Sequence, residues 1–192
     1  MTITPHYARA RSGTTQADRA SRLQIALSYC AVVLSGLFAG FLLTVLVLEC
    51  SMRSESAAVY TQVRLIELEH LDDLATALLI PALLVVGVLA LVSLRRRTSS
   101  LWLAAIALLL LLAILVISVS VSVPINTMQQ GWSVAAPPAD WADVRDRWQL
   151  AHVARTAIAV LAFLMLIAVP LRSAPTATTS TTDGERSPNV VQ

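Results

Sequence analysis

The sequence predicts an all-α integral membrane protein: a four-helix bundle carrying unstructured tails. Composition is the first ground. Of 192 residues, 56% are hydrophobic and only 14% charged, with a mean hydropathy of +0.70. A soluble domain of this size cannot cover so much apolar surface. Segment length is the second. Crossing a hydrocarbon layer of about 30 Å takes roughly 20 helical residues, and four segments meet or approach that length. The third is the distribution of arginine, which separates two sides of a membrane.

Three spans are plain from hydropathy, at about 23–48, 74–94 and 101–123. The first is too long for a signal-peptide core and no small-x-small cleavage site follows, so it reads as an uncleaved span. The fourth, about 149–171, is tighter. The residues after Arg155, Thr156–Leu171, number 16, or about 24 Å of helix at 1.5 Å per residue. That falls short of a crossing, so the span must take His152 and Arg155 to the membrane boundary. The domain is therefore bounded at 21–172, between tails 1–20 and 173–192. The C-terminal tail is rich in Ser, Thr and Pro and has nothing with which to build a core.

Every basic residue is arginine, and the side carrying both termini and the 95–100 turn holds nine of them. The side with the loops about 49–73 and 124–147 holds four (Arg53, Arg64, Arg145, Arg147), together with nine of the twelve acidic residues. The positive-inside bias puts both termini in the cytoplasm of a multi-pass cell-membrane protein. A net charge of +2 gives no argument for nucleic acid. Cys30 and Cys50 lie twenty residues apart on the first span, about 30 Å along a helix. They cannot bridge one another.

The polar residues of the outer side gather into a rim. AAVYTQVRLIELEHLDDLATALL has helical apolar spacing and no breaker before Pro81, so it runs into the second span as one helix, with a kink expected at the proline. Tyr60, Arg64, Glu67 and His70 then share roughly 120° of one wheel. Pro124 is expected to stop the third helix, leaving Asn126 at the surface. Arg145, Trp148, His152 and Arg155 share about 80° at the start of the fourth helix. Glu49 ends the first span at the same level.

Ionisable groups at membrane depth are a functional hypothesis by default. The structural alternative stands beside it: Trp148 as an interfacial belt residue, Arg147 as an anchor, and Arg155 paired with Glu67 or Asp73 to lock helices. Simple anchoring suits Arg155 poorly, because a cation at a helix N-terminus opposes the dipole. Gly36-x-x-x-Gly40-x-x-x-Thr44 is a small-residue stripe suited to packing within the bundle. Glu67-x-x-His70 has the i, i+3 spacing of di-iron bundles. The second unit is missing, since Gln149 precedes His152 where a carboxylate would be needed. No metal and no cofactor are assigned. A histidine beside an arginine supports acid/base chemistry instead.

Asn126, followed by Trp148-x-x-x-His152-x-x-Arg155, resembles the end of the anthrone-oxygenase-like family of four-span membrane proteins. The GLFAGF stretch and VYTQVRLIELEHLDDLATALLIPALL resemble it too, and the likeness covers about residues 23–170. It implies oxidation of an anthrone-like aromatic by molecular oxygen without metal or flavin. On that implication His152 is the base, while Arg155 and Asn126 hold the oxyanion. Trp148, Tyr60, Arg64, Glu67 and His70 would line the substrate pocket. The expected partners are membrane lipid and a lipophilic small molecule, with no nucleic acid and no oligomeric state assigned. The alternative is a non-enzymatic membrane protein that binds a lipid or a protein partner. A transporter fits less well, because the halves are not duplicated.

Overall fold

The computed structural model describes residues 7–173, and the side chains of 21–171. Helix α1 spans Tyr7–Ser51, α2 Ala57–Arg96, α3 Leu101–Ile117, α4 Val123–Gln129 and α5 Trp141–Ser173. A π-helical stretch, Ser118–Ser122, joins α3 to α4. Four membrane-capable helices result, Ser21–Ser54, Ala57–Arg96, Leu101–Gln129 and Trp141–Leu171. The chain is thus the all-α, four-span membrane bundle that its composition predicts. Helix covers part of the N-terminal stretch expected to be unstructured, from Tyr7 onward. Residues 1–6 and 174–192 lie outside the described residues, and so does that expectation for them.

α1 packs on α2 and α5, and α3 packs on the same two, so the long helices close a ring. The boundaries have local causes. Ser56 caps α2 by accepting the Val59 N–H. Arg97 ends α2 in the left-handed region at φ 53°, with its N–H returned to Leu94. Pro81 does not interrupt α2.

Two boundaries differ from expectation. Pro124 does not stop the third span; it sits in the first turn of α4, where a missing N–H costs nothing. The wide π turn before it absorbs the irregularity, and the helix carries Asn126 inward. Asn126 is therefore buried, not at the surface. The last helix also starts earlier than about 149, at Trp141. His152 and Arg155 consequently lie in its interior, so the helix-dipole objection to an anchoring arginine does not apply to Arg155.

The core is built from large side chains set between alanines: Phe38, Leu42, Leu89, Leu111, Ile114 and Leu166 against Ala31, Ala82, Ala104, Ala107 and Ala162. Without a hydrophobic drive between helices in lipid, small residues allow the close approach that packing needs. Outward faces are equally apolar, with Leu84, Leu109, Val47 and Val116 exposed, as a lipid-facing surface requires. The small-residue stripe splits. At Gly36 a Cβ would sit 2.8 Å from Phe163 Cε2, so this glycine seats α1 against α5. Gly40 faces open space, and Thr44 is exposed.

Gly36→Leu should therefore lower stability by about 1–3 kcal/mol through overpacking against Phe163. Gly40→Leu should stay within about 0.5 kcal/mol of the parent. Thermal unfolding in detergent compares the two.

Candidate functional site

At the end of the bundle away from the 95–100 turn, Arg64 is buried and held by four side chains from three helices. Its Nε donates to Gln129 Oε1 at 2.9 Å and its Nη2 to Asn126 Oδ1 at 2.6 Å. Its Nη1 pairs with Glu67 Oε2 at 2.9 Å and Glu49 Oε1 at 3.5 Å. The Trp148 ring lies 4.0 Å from the guanidinium carbon, in cation–π range.

The network extends outward. Gln149 Nε2 donates to Glu49 Oε2 and to the Glu49 carbonyl, both at 3.0 Å. Arg53 Nη1 donates to Gln149 Oε1 at 2.6 Å, and Arg53 pairs with Asp146 at the exposed edge. Tyr60 is fully buried; its hydroxyl accepts from Gln129 Nε2 at 3.5 Å and its ring meets Trp141.

The amide of Asn126 is oriented without ambiguity. Its oxygen accepts from both Arg64 and Trp148 Nε1, the latter at 2.7 Å. Its nitrogen must therefore point the other way, where it donates to Asp72 Oδ1 and Oδ2 at 2.9 and 2.8 Å.

His152 is fixed as well. Its Nε2 lies 2.9 Å from the Leu42 carbonyl, which can only accept, so this nitrogen carries the proton. Nδ1 then accepts from Arg155 Nη2 at 3.0 Å. The imidazole is the neutral Nε2–H tautomer, both nitrogens are engaged, and the ring stacks on Trp148 at 4.8 Å. Arg155 Nη1 donates to Ser118 Oγ at 3.1 Å, while Arg155 Nε is buried without a hydrogen-bond partner.

Beside this network lies a cavity of about 300 Å³. Its polar end carries Asp72, Asn126, Arg155, Ser118 and Ser122; its walls are Phe38, Leu42, Leu79 and Leu115. That size is at the lower end of small-molecule sites, and a few convergent polar groups in an apolar cleft are their usual build. The exposed lining residues are Thr76, Ile80, Val119 and Val123. They put the mouth between α2 and the π stretch with α4, on the lipid-facing side of the bundle.

Of the residues expected at the site, Asn126, Trp148, His152, Arg155, Tyr60, Arg64 and Glu67 are buried together at this end. His70 is not with them; it is exposed. The inward face of α2 follows Thr61, Leu68, Asp72, Ala75 and Leu79, a stripe centred well round the wheel from His70. Glu67 and His70 therefore do not act as one i, i+3 unit. Arg155 pairs with neither Glu67 nor Asp73, but with His152 and Ser118.

Asp72, Ser118, Gln129 and Gln149 were not expected as parts of the network. For Asp72 the signal was present, since it occupies an inward position in a run of Leu and Ala. For the two glutamines there was none beyond position.

Residues 72–165 match the family model described as Anthrone oxygenase. The chain is thus similar to that family over these residues, a narrower stretch than the 23–170 of the resemblance. Asp72, Asn126, Trp148, His152 and Arg155 fall inside the match, whereas Glu49, Tyr60, Arg64 and Glu67 precede it. Neither a curated protein nor a solved structure matches the chain.

Arg64→Met should cost about 3–5 kcal/mol, because it leaves Glu49 and Glu67 as buried, unpaired carboxylates. Adding Glu49→Gln and Glu67→Gln to that variant should recover part of the loss, and melting temperatures in detergent read both steps.

Proposed function

We propose that this anthrone-oxygenase-like membrane domain oxidises a lipophilic aromatic substrate with molecular oxygen, without a cofactor, in the 300 Å³ cavity. The observation that carries this reading is the pairing of apolar walls and a lipid-side mouth with one polar end. A flat, greasy ring system would enter from the bilayer and leave its oxygen substituent among Arg155, Asn126 and Ser118. The arginine bias supports cytoplasmic termini and a cavity near the outer side.

The chemistry begins with loss of a proton from an acidic ring carbon that is conjugated to a carbonyl. The electron pair moves onto that oxygen, where Arg155 is the nearest full positive charge lining the cavity. Donors placed where charge develops supply the largest share of most such accelerations. The carbanion adds dioxygen, forming a C–O bond. Loss of water from the hydroperoxide breaks the O–O bond and leaves a quinone. Carbon is oxidised and dioxygen reduced, so an anthrone plus O₂ gives an anthraquinone plus water.

His152 holds Arg155 through its Nδ1 lone pair, and with that lone pair occupied it serves here as a positioning residue. A second reading has support of its own. The Arg64 network pairs its guanidinium with two carboxylates inside the protein, as a structural clamp in a non-enzymatic lipid- or partner-binding protein would.

Membranes carrying the protein should consume oxygen with an added anthrone well above the autoxidation rate. Arg155→Ala should lower that rate about 10²–10³-fold. Uptake at only the uncatalysed rate, with phospholipid co-purifying in the cavity, would transfer support to the binding reading.

A further inference from the structure

The geometry points to Asp72 as the proton acceptor of the cavity, an assignment that rests on the oxygenase reading above. Among the described residues lining the cavity, Asp72 is the one carboxylate, and no histidine lines it. His152 opens onto a separate pocket of about 30 Å³, which Asp72 and Arg155 also border. With Nε2–H given to Leu42 and Nδ1 occupied by Arg155, the imidazole has no lone pair to offer a substrate.

Two buried carboxylates, Glu49 and Glu67, and the half-buried Asp72 are held differently. Glu49 and Glu67 are both ion-paired with Arg64, Glu67 through Oε2 alone with its Oε1 left without a hydrogen-bond partner, and neither lines the 300 Å³ cavity. Asp72 is in no ion pair among the described residues and receives only the Asn126 amide nitrogen. A carboxylate has room for about four hydrogen-bond donors, so Asp72 keeps accepting capacity. Arg64 and Trp148 lock the Asn126 oxygen, and the locked amide in turn orients the carboxylate. Arg155 lines the same cavity, so one substrate can meet a base and an oxyanion donor together.

In the reaction, Asp72 takes the proton from the ring carbon while the C–H electron pair moves to the oxygen held by Arg155. The carbanion adds O₂, and Asp72 returns its proton to the distal peroxide oxygen. It then takes the second proton from the same carbon as the O–O bond breaks. The leaving hydroxide collects that proton as water, and the carboxylate is regenerated.

Deuterium exchange at the acidic carbon, followed without oxygen, reads proton removal separately from oxygenation. With an added anthrone, the wild-type protein should accelerate exchange. Asp72→Asn should abolish that acceleration, a loss of about 10²-fold or more, while its melting temperature and its affinity for the quinone product change little. Asp72→Glu, which keeps a carboxylate on a longer arm, should retain partial exchange.

Exchange by Asp72→Asn at the wild-type rate overturns the assignment, even if oxygen uptake shows the enzyme reading to be right. Wild-type protein that exchanges the proton but consumes no oxygen overturns the oxygenase reading and leaves Asp72 as the base. Wild-type protein that accelerates neither overturns both.

Discussion

A guanidinium buried among membrane helices sets the terms for everything at the polar end of this bundle. Arg64 cannot be left unpaired there, because a charge without partners in a low-dielectric interior is among the costliest defects a fold can carry. Its answer is to draw Glu49 from α1, Glu67 from its own helix, and Asn126 and Gln129 from α4 onto one centre. Three helices are thereby fixed in rotation as well as distance. The π stretch belongs to the same demand, since it brings the chain through Pro124 with Asn126 still facing inward.

The polar residues then divide by task. One set, centred on Arg64, ties three helices together. The other, Asp72, Arg155 and Ser118, borders open volume and has capacity left over. Asn126 belongs to both, giving its oxygen to the first set and its nitrogen to the second. Trp148 links them too, lying against Arg64 and stacked on His152. A rigid clamp beside a less saturated pocket is the arrangement that pre-organised chemistry needs.

Much of this was legible in the sequence. Hydropathy and length gave the spans, and the cost of ionisable groups in lipid singled out Arg64, Glu67, His152 and Arg155 before any coordinates. The fourth helix does include His152 and Arg155, but it begins at Trp141, earlier than the short span expected from hydropathy. The rest depends on packing. His70 shares an arc with Tyr60, Arg64 and Glu67, yet it is exposed, whereas the stripe of Leu68, Asp72, Ala75 and Leu79 puts Asp72 on the inward face. Pro124 lacks a hydrogen bond and would stop a regular helix, but a π turn absorbs the defect and nothing local in the sequence announces that turn. The commitment of both His152 nitrogens depends on a backbone carbonyl 110 residues away, and no periodicity could reveal it.

The order of the ion pairs along the chain bears on how such a protein can be made. Glu49, Arg64 and Glu67 all belong to the first two helices. The hairpin that emerges first from the ribosome therefore already contains a cation together with its counter-charges. Later spans bring Asn126, Gln129, Trp148 and Gln149 to that centre, all of them neutral. The first hairpin can thus enter lipid with Arg64 already matched, and the second half docks onto it by supplying amides. Biogenesis can then proceed in the order of synthesis, with no stage at which that cation waits in the bilayer for a partner not yet translated.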